Sequence, residues 1–386
     1  MQLRYSYRLE PNTTERRALA RAFGCARTVF NDALRIRQDA HAAGLPYPKT
    51  GDLSKRVITE AKKTPGRAWL GEVSAVVLQQ SLRDLDTAFS HFFDSVTGKR
   101  AGARVGAPRF KSRKDNRHTL RFTANARWSI TDTGRLRLPK IGDVRVKWSR
   151  TLPSDPSTVT VIKDAAGRYW ASFVVEADPE ILPETTADVG IDLGLTHFAI
   201  LNDGRKIASP KFLRRAEKKL KKAQQRHARK AKGSANRAKS RVKVAKVHAH
   251  VANARKDFHH KLSTTLSREN QALYVETLNV KGLAKGMHAK CVNDAGWAQF
   301  LAMLEYKASR HGRTLIRVDR GFPSSQLCAD CGHRDGPKPL NIREWTCTNC
   351  QTHHDRDICA ARNITYEGRR IRASLHLPGD VPALSG

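Results

Sequence analysis

Four cysteines near the C-terminal end of the sequence have the spacing of a metal site. Cys328 and Cys331 form one Cys-x-x-Cys pair, and Cys347 and Cys350 form a second pair after fifteen intervening residues. Thiolates are preferred ligands of Zn²⁺, and two such pairs can close a tetrahedron around one ion. The spacing therefore predicts a zinc ribbon over residues 324–351.

Three carboxylates stand out because of the segments that carry them. Asp192 and Glu276 each interrupt an apolar strand, and Asp357 opens a helical segment directly behind the second cysteine pair. A carboxylate in an apolar strand is unfavourable unless it is paired or binds a cation. If the three meet at one edge of a sheet, they can hold two Mg²⁺ or Mn²⁺ ions about 4 Å apart and hydrolyse a phosphodiester.

Each of these acids also has a purely structural explanation. Asp192 could cap a turn, and Glu276 could be a surface acid on an edge strand. Asp357 could be no more than a favourable negative charge at a helix N-terminus. Asp355 competes with Asp357 for the third position, and spacing alone leaves these alternatives open.

The net charge of the chain limits the kinds of partner it can have. Lys and Arg number 71 against 36 Asp and Glu, a net charge of +35. Such an imbalance favours a polyanionic partner, and nucleic acid is the first candidate. No apolar run approaches the roughly 18 residues of a membrane span, so we expect no membrane partner.

The cysteines outside the ribbon indicate the redox setting. Cys25, Cys291 and Cys359 form an odd set with no disulfide pattern, which is typical of a reducing compartment. The N-terminus also lacks the apolar region of a signal peptide. We therefore expect a cytoplasmic protein, associated with the nucleoid when it is bound to DNA.

The first half of the chain must supply the surroundings of the site. Residues 3–10 alternate and predict a strand, and 11–14 carry a helix-start signal. Two helices with apolar stripes follow, separated by a poorly periodic stretch at 42–66. From residue 102 to about 184, short alternating runs and turns predict a small β-barrel. The apolar stripes consist of Leu19, Phe23, Ala26, Phe30 and Leu34, then Leu78, Leu82, Leu85, Phe89 and Phe92.

The second half reads as a mixed α/β layer arrangement. After a linker at 179–186, residues 189–208 predict a hairpin that turns at 202–204. Residues 211–261 hold 19 Lys and Arg against two acids, and a break at 233–236 predicts a basic helical hairpin. A strand through Glu276, a helix at 297–311 and a strand at 314–319 precede the ribbon. The last residues predict a loose tail.

Several stretches together resemble the TnpB family, transposon-encoded RNA-guided nucleases related to type V CRISPR effectors. The resemblance covers nearly the whole chain except the tail and part of 42–66. In the first half it is carried by FGCARTVFN (23–31), LQQSLRDLDTAF (78–89) and GAPRFKSR (106–113). In the second half it is carried by GIDLG (190–194), RKDFHHKLS (255–263), VETLN (275–279), NDAGWAQF (293–300), LEYKA (304–308), FPSSQLCADCG (322–332), WTCTNC (345–350) and HDRDICAARNI (354–364).

The resemblance implies a multidomain α+β protein. Residues 1–12 and 102–184 would form a wedge β-barrel, with a helical recognition domain inserted at 13–101. Residues 187–323 and 352–370 would form an RNase H-like, RuvC-type nuclease domain. The zinc ribbon at 324–351 would bind the target nucleic acid, and 371–386 would be a flexible tail.

The resemblance also implies roles for individual residues. By motif, Asp192, Glu276 and Asp357 are the catalytic acids, with Mg²⁺ or Mn²⁺ as cofactor, and the four ribbon cysteines hold Zn²⁺. The partners are a guide RNA from the transposon end and double-stranded target DNA. The DNA is cut beside a short target-adjacent motif, for which local matches indicate contacts from Tyr47, Gln79 and Thr123.

Two positions depart from the family pattern. Thr277 follows the catalytic Glu where relatives often have an acid, and Cys359 stands where many have Asn. Neither removes a proposed metal ligand, although Cys359 is expected to weaken a supporting hydrogen bond. The intact set of three acids argues against a nuclease-dead derivative.

Two other functions fit parts of the sequence. The first is an RNA-guided repressor that occupies DNA without cutting it, which the three acids disfavour. The second is a tyrosine transposase, which requires a His-x-His pair near a nucleophilic Tyr. His248 and His250 offer such a pair, but they lie in the basic helix with no Tyr nearby.

Overall fold

The chain forms two compact units that are joined near residue 178. The computed structural model describes residues 1–339 and 341–375, and the first unit is Met1–Asp178 while the second begins at Pro179. Within these residues no helix is both long and apolar enough to span a bilayer.

The first unit contains a seven-stranded antiparallel sheet. In sheet order the strands run β2-β6-β7-β1-β5-β4-β3, so the N-terminal strand lies at the centre. Their bounds are β1 Gln2–Glu10, β2 His118–Thr123, β3 Ser129–Ile130, β4 Arg135–Leu138, β5 Gly142–Lys147, β6 Thr158–Lys163 and β7 Tyr169–Glu176. A tight turn at Asp164–Gly167 joins β6 to β7, and the Gly167 N–H donates to the Asp164 carbonyl at 2.9 Å.

This sheet must curve strongly because its two edge strands are consecutive in the chain. A flat sheet of seven strands would separate β2 from β3 by about 29 Å. The connection from Thr123 to Ser129 reaches at most about 22 Å when fully extended. Trp128 in this connection donates its indole N–H to the Thr123 carbonyl. The edges are therefore drawn toward each other, as the short strands and tight turns predict.

The helices of this unit are inserted between β1 and β2. They are α1 (Thr13–Ala42), α2 (Thr50–Ser54) and α3 (Ala75–Val96). The helix-start signal is confirmed, because Asn12 and Glu15 form a reciprocal capping box. The stretch at 42–66 is more ordered than expected: α2 continues into a π-helical turn at Lys55–Glu60, and Leu53, Val57 and Ile58 are buried.

Helices and sheet share one apolar core. Leu19, Phe30 and Leu78 from the helices lie in the same cluster as Phe122 and Phe173 from the strands. The apolar stripes are confirmed in their central positions, whereas Phe89 and Phe92 are only partly buried. The inserted helices are therefore part of the same folded body as the sheet.

The second unit is built on a five-stranded mixed sheet in the order β10-β9-β8-β11-β12. β11 pairs in parallel with both of its neighbours, β8 and β12. β9 pairs in antiparallel fashion with β8 on one side and with β10 on the other. The strands are β8 Asp188–Asp192, β9 His197–Leu201, β10 Lys206–Ala208, β11 Ala272–Glu276 and β12 Thr314–Val318. The predicted two-stranded hairpin is wrong in one respect: residues 193–196 turn as well, so the segment forms three strands.

Helices cover both faces of this sheet. Leu266 of α5 and Phe300 of α8 pack on one face with Leu273, and Ile364 of α9 packs on the other face with Tyr274. The predicted basic helical hairpin is confirmed as α4 and α5. The helices are α4 Phe212–Ala228, α5 Ala235–Glu269, α6 Val280–Leu283, α7 Ala289–Ala295, α8 Trp297–His311 and α9 Arg356–Ser374.

The ribbon lies in the chain between β12 and α9. Its two short strands, β13 (Glu344–Thr346) and β14 (His353–Asp355), pair in antiparallel fashion, and β14 runs directly into α9. The tail predicted at 371–386 starts too early, because α9 continues through Ser374. The rest of that prediction, from 376 onward, lies outside the described residues.

The segment predicted as a linker, 179–186, is bonded to the second unit. Arg313 donates to the Pro183 carbonyl, and Leu182 donates to the His311 carbonyl. Arg310 also pairs with Glu180. Composition alone did not indicate this, because the partners lie about 130 residues further along the chain.

Helix α9 lies unusually close to the sheet at two glycines. A Cβ added to Gly190 in β8 would overlap the Thr365 hydroxyl and the Ala361 carbonyl, and one added to Gly368 in α9 would overlap the Tyr274 ring. Only hydrogen at these positions allows the helix to rest directly on β8 and β11. The position of the N-terminal turn of α9 depends on this contact.

We predict that Gly190→Ala destabilises the protein by about 1–3 kcal/mol, because the added methyl forces α9 away from the sheet. Urea unfolding measures the change. Gly286→Ala is the control in the same unit, since its Cβ would meet only an ordinary contact. Equal unfolding free energies for the two variants would show that the close contact is not required.

Candidate active site and zinc ribbon

Asp192 and Glu276 occupy equivalent positions on neighbouring parallel strands. Each is the last residue of its strand, so these acids end the strands rather than interrupt them. Ile191 and Val275 point into the core beneath α5 and α8. Because side chains alternate along a strand, the two acids point to the opposite face, where α9 lies.

The two carboxyl groups are in direct contact. A hydrogen bond joins Asp192 to Glu276, and the Leu193 N–H donates to Glu276 Oε1 at 3.2 Å. Burial, then the negative charges of Glu276 and Asp357, raise the pKa of Asp192 well above its usual range. Burial also raises the pKa of Glu276. Burial and mutual repulsion therefore oppose the ionisation of both carboxyl groups together, and a bound cation would relieve that repulsion.

The third acid lies in the first turn of α9. Asp357 is close enough for its charge to act on Asp192, and its side chain is 22% exposed. The three acids are nevertheless not among the described clusters whose ligand atoms all lie within 4.8 Å of one another. The structure therefore brings Asp192 and Glu276 together and leaves Asp357 beside them.

Asp355, the competing candidate, has a structural role in the fold. Its carboxylate caps α9 by accepting the backbone N–H groups of Asp357 and Ile358, both at 3.0 Å. It also pairs with Lys206 at 2.5 Å. These interactions use the acceptor capacity of Asp355, which leaves Asp357 as the acid of this turn that faces the pair.

Basic side chains surround the carboxylates. Arg343 from the ribbon contacts Asp357 at 3.4 Å, and the charge of Arg356 partly offsets the rise in the pKa of Asp192. Sequence reasoning did not single out Arg343, which lies within the predicted ribbon and fourteen residues before Asp357. The contact depends on the pairing of β13 with β14, which the sequence pattern did not predict.

The residues at this edge fit a divalent cation. Two partly buried carboxylates in contact repel each other when both are ionised, and a hard cation between them removes that repulsion. Oxygen ligands from Asp192, Glu276 and Asp357 are the type that Mg²⁺ and Mn²⁺ prefer. The arrangement can thus support metal-assisted hydrolysis if α9 brings Asp357 slightly closer.

The four predicted ribbon cysteines do converge. Their sulfur atoms all lie within 4.8 Å of one another, with Cys328 to Cys350 at 3.6 Å and Cys331 to Cys347 at 3.7 Å. A tetrahedron with Zn–S bonds of about 2.3 Å has sulfur atoms about 3.8 Å apart. Hydrogen bonds from Thr352 lower the pKa of the Cys350 thiol to about 6. The site fits Zn²⁺ closely.

His354 connects the ribbon to α9. Its Nε2 lies 3.0 Å from Cys328 Sγ, and its ring packs against Trp345 with centroids 4.8 Å apart. The side chain is buried and is three residues before Asp357. A histidine that contacts a metal-ligating thiolate orients that ligand. The sequence pattern indicated a role for the acids of this HDRD segment but did not predict the contact of His354 with Cys328.

The structure shows the contacts of Cys359 and Thr277, the two residues that depart from the family pattern. Cys359 is buried in the small ribbon core, and its thiol donates to the Leu327 carbonyl at 3.2 Å. Asn363, one turn later, donates to the same carbonyl at 2.8 Å. Thr277 is exposed and donates its backbone N–H to Val318. The helix is thus bonded to the ribbon with Cys359 in place.

The three residues expected to read DNA all lie in the first unit. Gln79 is exposed near the start of α3, and Thr123 ends β2. Tyr47 is 49% exposed and packs on Phe89 with Arg37 over its ring at 4.5 Å. Phe89 follows Gln79 by ten residues, about 15 Å along α3. Tyr47 therefore packs on a part of α3 that is distant from Gln79.

The basic hairpin is fixed at its base by one buried acid. Asp294 accepts the Leu213 N–H at 2.9 Å, at the start of α4, and pairs with Arg255 of α5 at 3.0 Å. Beyond this point most Lys and Arg side chains of the hairpin are exposed. A rigidly held row of cations is suited to phosphate contact.

Family models match three segments of the chain. Residues 172–287 match the IS605 OrfB model described as "Probable transposase", 297–364 match the "Cas12f1-like, TNB domain", and 1–45 match a "Helix-turn-helix domain". The last description differs from the structure, in which these residues form β1 and the single helix α1. The second match contains the whole ribbon.

A curated relative from Streptomyces pristinaespiralis, named "Putative RNA-guided DNA endonuclease", is 46% identical over 372 residues, covering 94% of this chain and 89% of the relative. The chain belongs to the TnpB family. A second relative, InsQ of Escherichia coli K12, carries the same description and is 29% identical, covering 96% of this chain and 93% of the relative.

A solved structure agrees with this TnpB assignment at the level of fold. The Cas12f1 chain in a complex with sgRNA and target DNA aligns with a TM-score of 0.52 and 14% identity, covering 91% of this chain and 82% of that one. This identity is too low to transfer residue roles, so the roles in this TnpB-family chain rest on its own geometry.

Cys328→Ser should release zinc, because an alcohol is a far weaker ligand for this ion than a thiolate. The protein should lose about one equivalent of zinc by elemental analysis. Cys291→Ser, an exposed cysteine outside the ribbon, should keep it. Equal zinc content in the two variants would contradict the four-thiolate site.

Asp192→Asn should stabilise the metal-free protein at neutral pH. The folded-state pKa of Asp192 is raised, so in the native protein the free energy of unfolding falls as pH rises from about 4 through that raised pKa. The amide removes this fall, and the difference between the proteins should vanish in acid. Thermal unfolding in EDTA from pH 4 to 8 measures it.

The control for this titration is Asp257→Asn, an exposed acid on α5. Its unfolding curve should follow that of the native protein across the same pH range. If Asp192→Asn showed no gain at neutral pH, the buried repulsion at the strand ends would be disproved.

Proposed function

We propose that this protein is an RNA-guided DNA endonuclease of a bacterial insertion sequence, and that it hydrolyses phosphodiester bonds at Asp192, Glu276 and Asp357. The observation that carries the proposal is the meeting of two partly buried carboxyl groups, Asp192 and Glu276, at the equivalent ends of the adjacent parallel strands β8 and β11. The relatives named as RNA-guided DNA endonucleases support it, because the chain matches them over nearly their full length.

The geometry supports a division of labour among the acids. Glu276 is held by the Leu193 N–H, so its free oxygen and that of Asp192 face the same side of the sheet. Asp357 lies in the first turn of α9, on the face of the sheet toward which Asp192 and Glu276 point. Mg²⁺ or Mn²⁺ bound by these oxygens would supply a hydroxide near neutral pH and positive charge for the leaving oxygen.

The domain roles implied by the resemblance belong to this proposal. The mixed sheet with acids on adjacent parallel strands supports an RNase H-like, RuvC-type nuclease domain at 187–323 and 352–370. The curved sheet at 1–12 and 102–184 would be the wedge domain, and 13–101 the helical recognition domain. The ribbon at 324–351 would contact the target DNA.

The proposed partners account for the charge. A guide RNA from the transposon end and a double-stranded target supply phosphates for the hairpin of α4 and α5, while base pairing reads the sequence. Tyr47, Gln79 and Thr123 would contact the target-adjacent motif. The proposed location is the cytoplasm, at the nucleoid when the protein is bound to DNA.

Asp192→Ala should lower Mg²⁺-dependent cleavage of guide-matched DNA by about a thousandfold or more, because it removes one shared ligand of the cation site. RNA binding, measured by filter retention, should remain within about twofold, since the acid faces away from the basic hairpin. Asp257→Asn is the control and should cut normally. Undiminished cleavage by Asp192→Ala would reject its assignment.

The same experiment separates the alternative. If the unaltered protein bound guide-matched DNA tightly and left it uncut at any Mg²⁺ or Mn²⁺ concentration, an RNA-guided repressor would be the correct description. Cleavage that required no guide RNA would contradict both functions.

A further inference from the structure

An apolar cleft beside the carboxylate edge has no part in the hydrolysis described above. Its volume is about 310 Å³. It opens between the turn after β8, the segment of α6 and α7, and the residues that follow β12. Its lining includes Leu195, Leu283, Met287, Trp297 and Arg320.

This cleft is continuous with the carboxylates. A neighbouring cleft of about 170 Å³ is lined by Glu276 itself, and the two clefts share Asn279, Leu283 and Arg320. Leu195 follows Asp192 by three residues, just as Asn279 follows Glu276. If one part of a ligand bound at the acids, the adjoining part of the same ligand would lie in the apolar cleft.

The lining calls for a flat, largely apolar ligand. Met287 is 95% exposed and Leu283 is 43% exposed at the rim. Leu195 and the largely buried Trp297 line the same cleft. A flat ring that packed on these side chains would cover apolar surface that is otherwise in contact with water.

The rim of the cleft is cationic. Arg320 and His288 line it, and Lys281 and Lys285 on the same segment are exposed. Apolar contact surface surrounded by cations is the combination with which proteins bind single-stranded nucleic acid. A lipid or an apolar peptide would not need the cations or the neighbouring carboxylates.

We propose that this cleft binds the base of an unpaired DNA nucleotide next to the scissile phosphate. The inference rests on the proposed function and adds a subsite to it. The base packs on Leu283 and Met287, while its phosphate is placed at Asp192 and Glu276. Apolar packing of this kind accepts any of the four bases, so the subsite is indifferent to sequence, as a guide-directed enzyme requires.

The test uses the unaltered protein with its guide RNA and Mg²⁺. Guide-matched DNA carries a single abasic site at each position in turn around the cut, and single-turnover cleavage is measured. We expect the single-turnover rate constant to fall about tenfold at one position only. Replacing that nucleotide by each of the four bases should change the rate less than about twofold.

A protein variant identifies the cleft as the cause. Met287→Ser changes a side chain that is almost fully exposed, so folding is not affected. It should slow cleavage of normal DNA several-fold and leave cleavage of the abasic substrate unchanged. Val96→Ser, another exposed apolar residue in the first unit, should have no effect on either substrate.

The outcomes separate this proposal from the one on which it rests. If normal DNA is not cut, the proposed endonuclease function fails. If normal DNA is cut and abasic sites have no effect at any position, or if Met287→Ser slows both substrates equally, the base subsite is overturned and the hydrolytic site stands.

Discussion

The flush packing of α9 on β8 and β11 is the constraint on which the proposed active site depends. Gly190 on the sheet and Gly368 on the helix remove the side chains that would hold the two apart. The salt bridge between Arg369 and Asp188, at 2.6 Å, fixes the helix along the same strand. With the helix held so closely, its first turn places Asp357 beside the two strand-end acids.

The N-terminal end of α9 is positioned by the ribbon. β14 runs into α9 without a linker, and Asp355 caps the helix while His354 contacts Cys328. Asn363 and Cys359 bond the helix to the ribbon backbone. The four-cysteine site and the proposed catalytic site therefore both depend on the position of α9.

The sequence predicted these features unequally. Cysteine spacing located the ribbon, because four ligands for one ion leave few arrangements. The run of Lys and Arg with its break at 233–236 located the basic hairpin, and apolar periodicity located α8 and the inserted helices. Periodicity could not show the turn at 193–196, since the apolar run continues through it. It also could not show that α9 extends to Ser374, because the last part of the helix is mostly polar. It could not show that Arg343 reaches Asp357, because that contact depends on the pairing of β13 with β14.

The spacing of the three acids along the chain has a consequence for synthesis on the ribosome. Asp192, Glu276 and Asp357 are separated by 84 and 81 residues, and the last of them joins the others only when α9 packs on the sheet. The cationic hairpin is complete long before that. A growing chain thus has its cationic hairpin before it has the third carboxylate. Under the proposed function, DNA cleavage becomes possible only after α9 has been synthesised and has packed on the sheet.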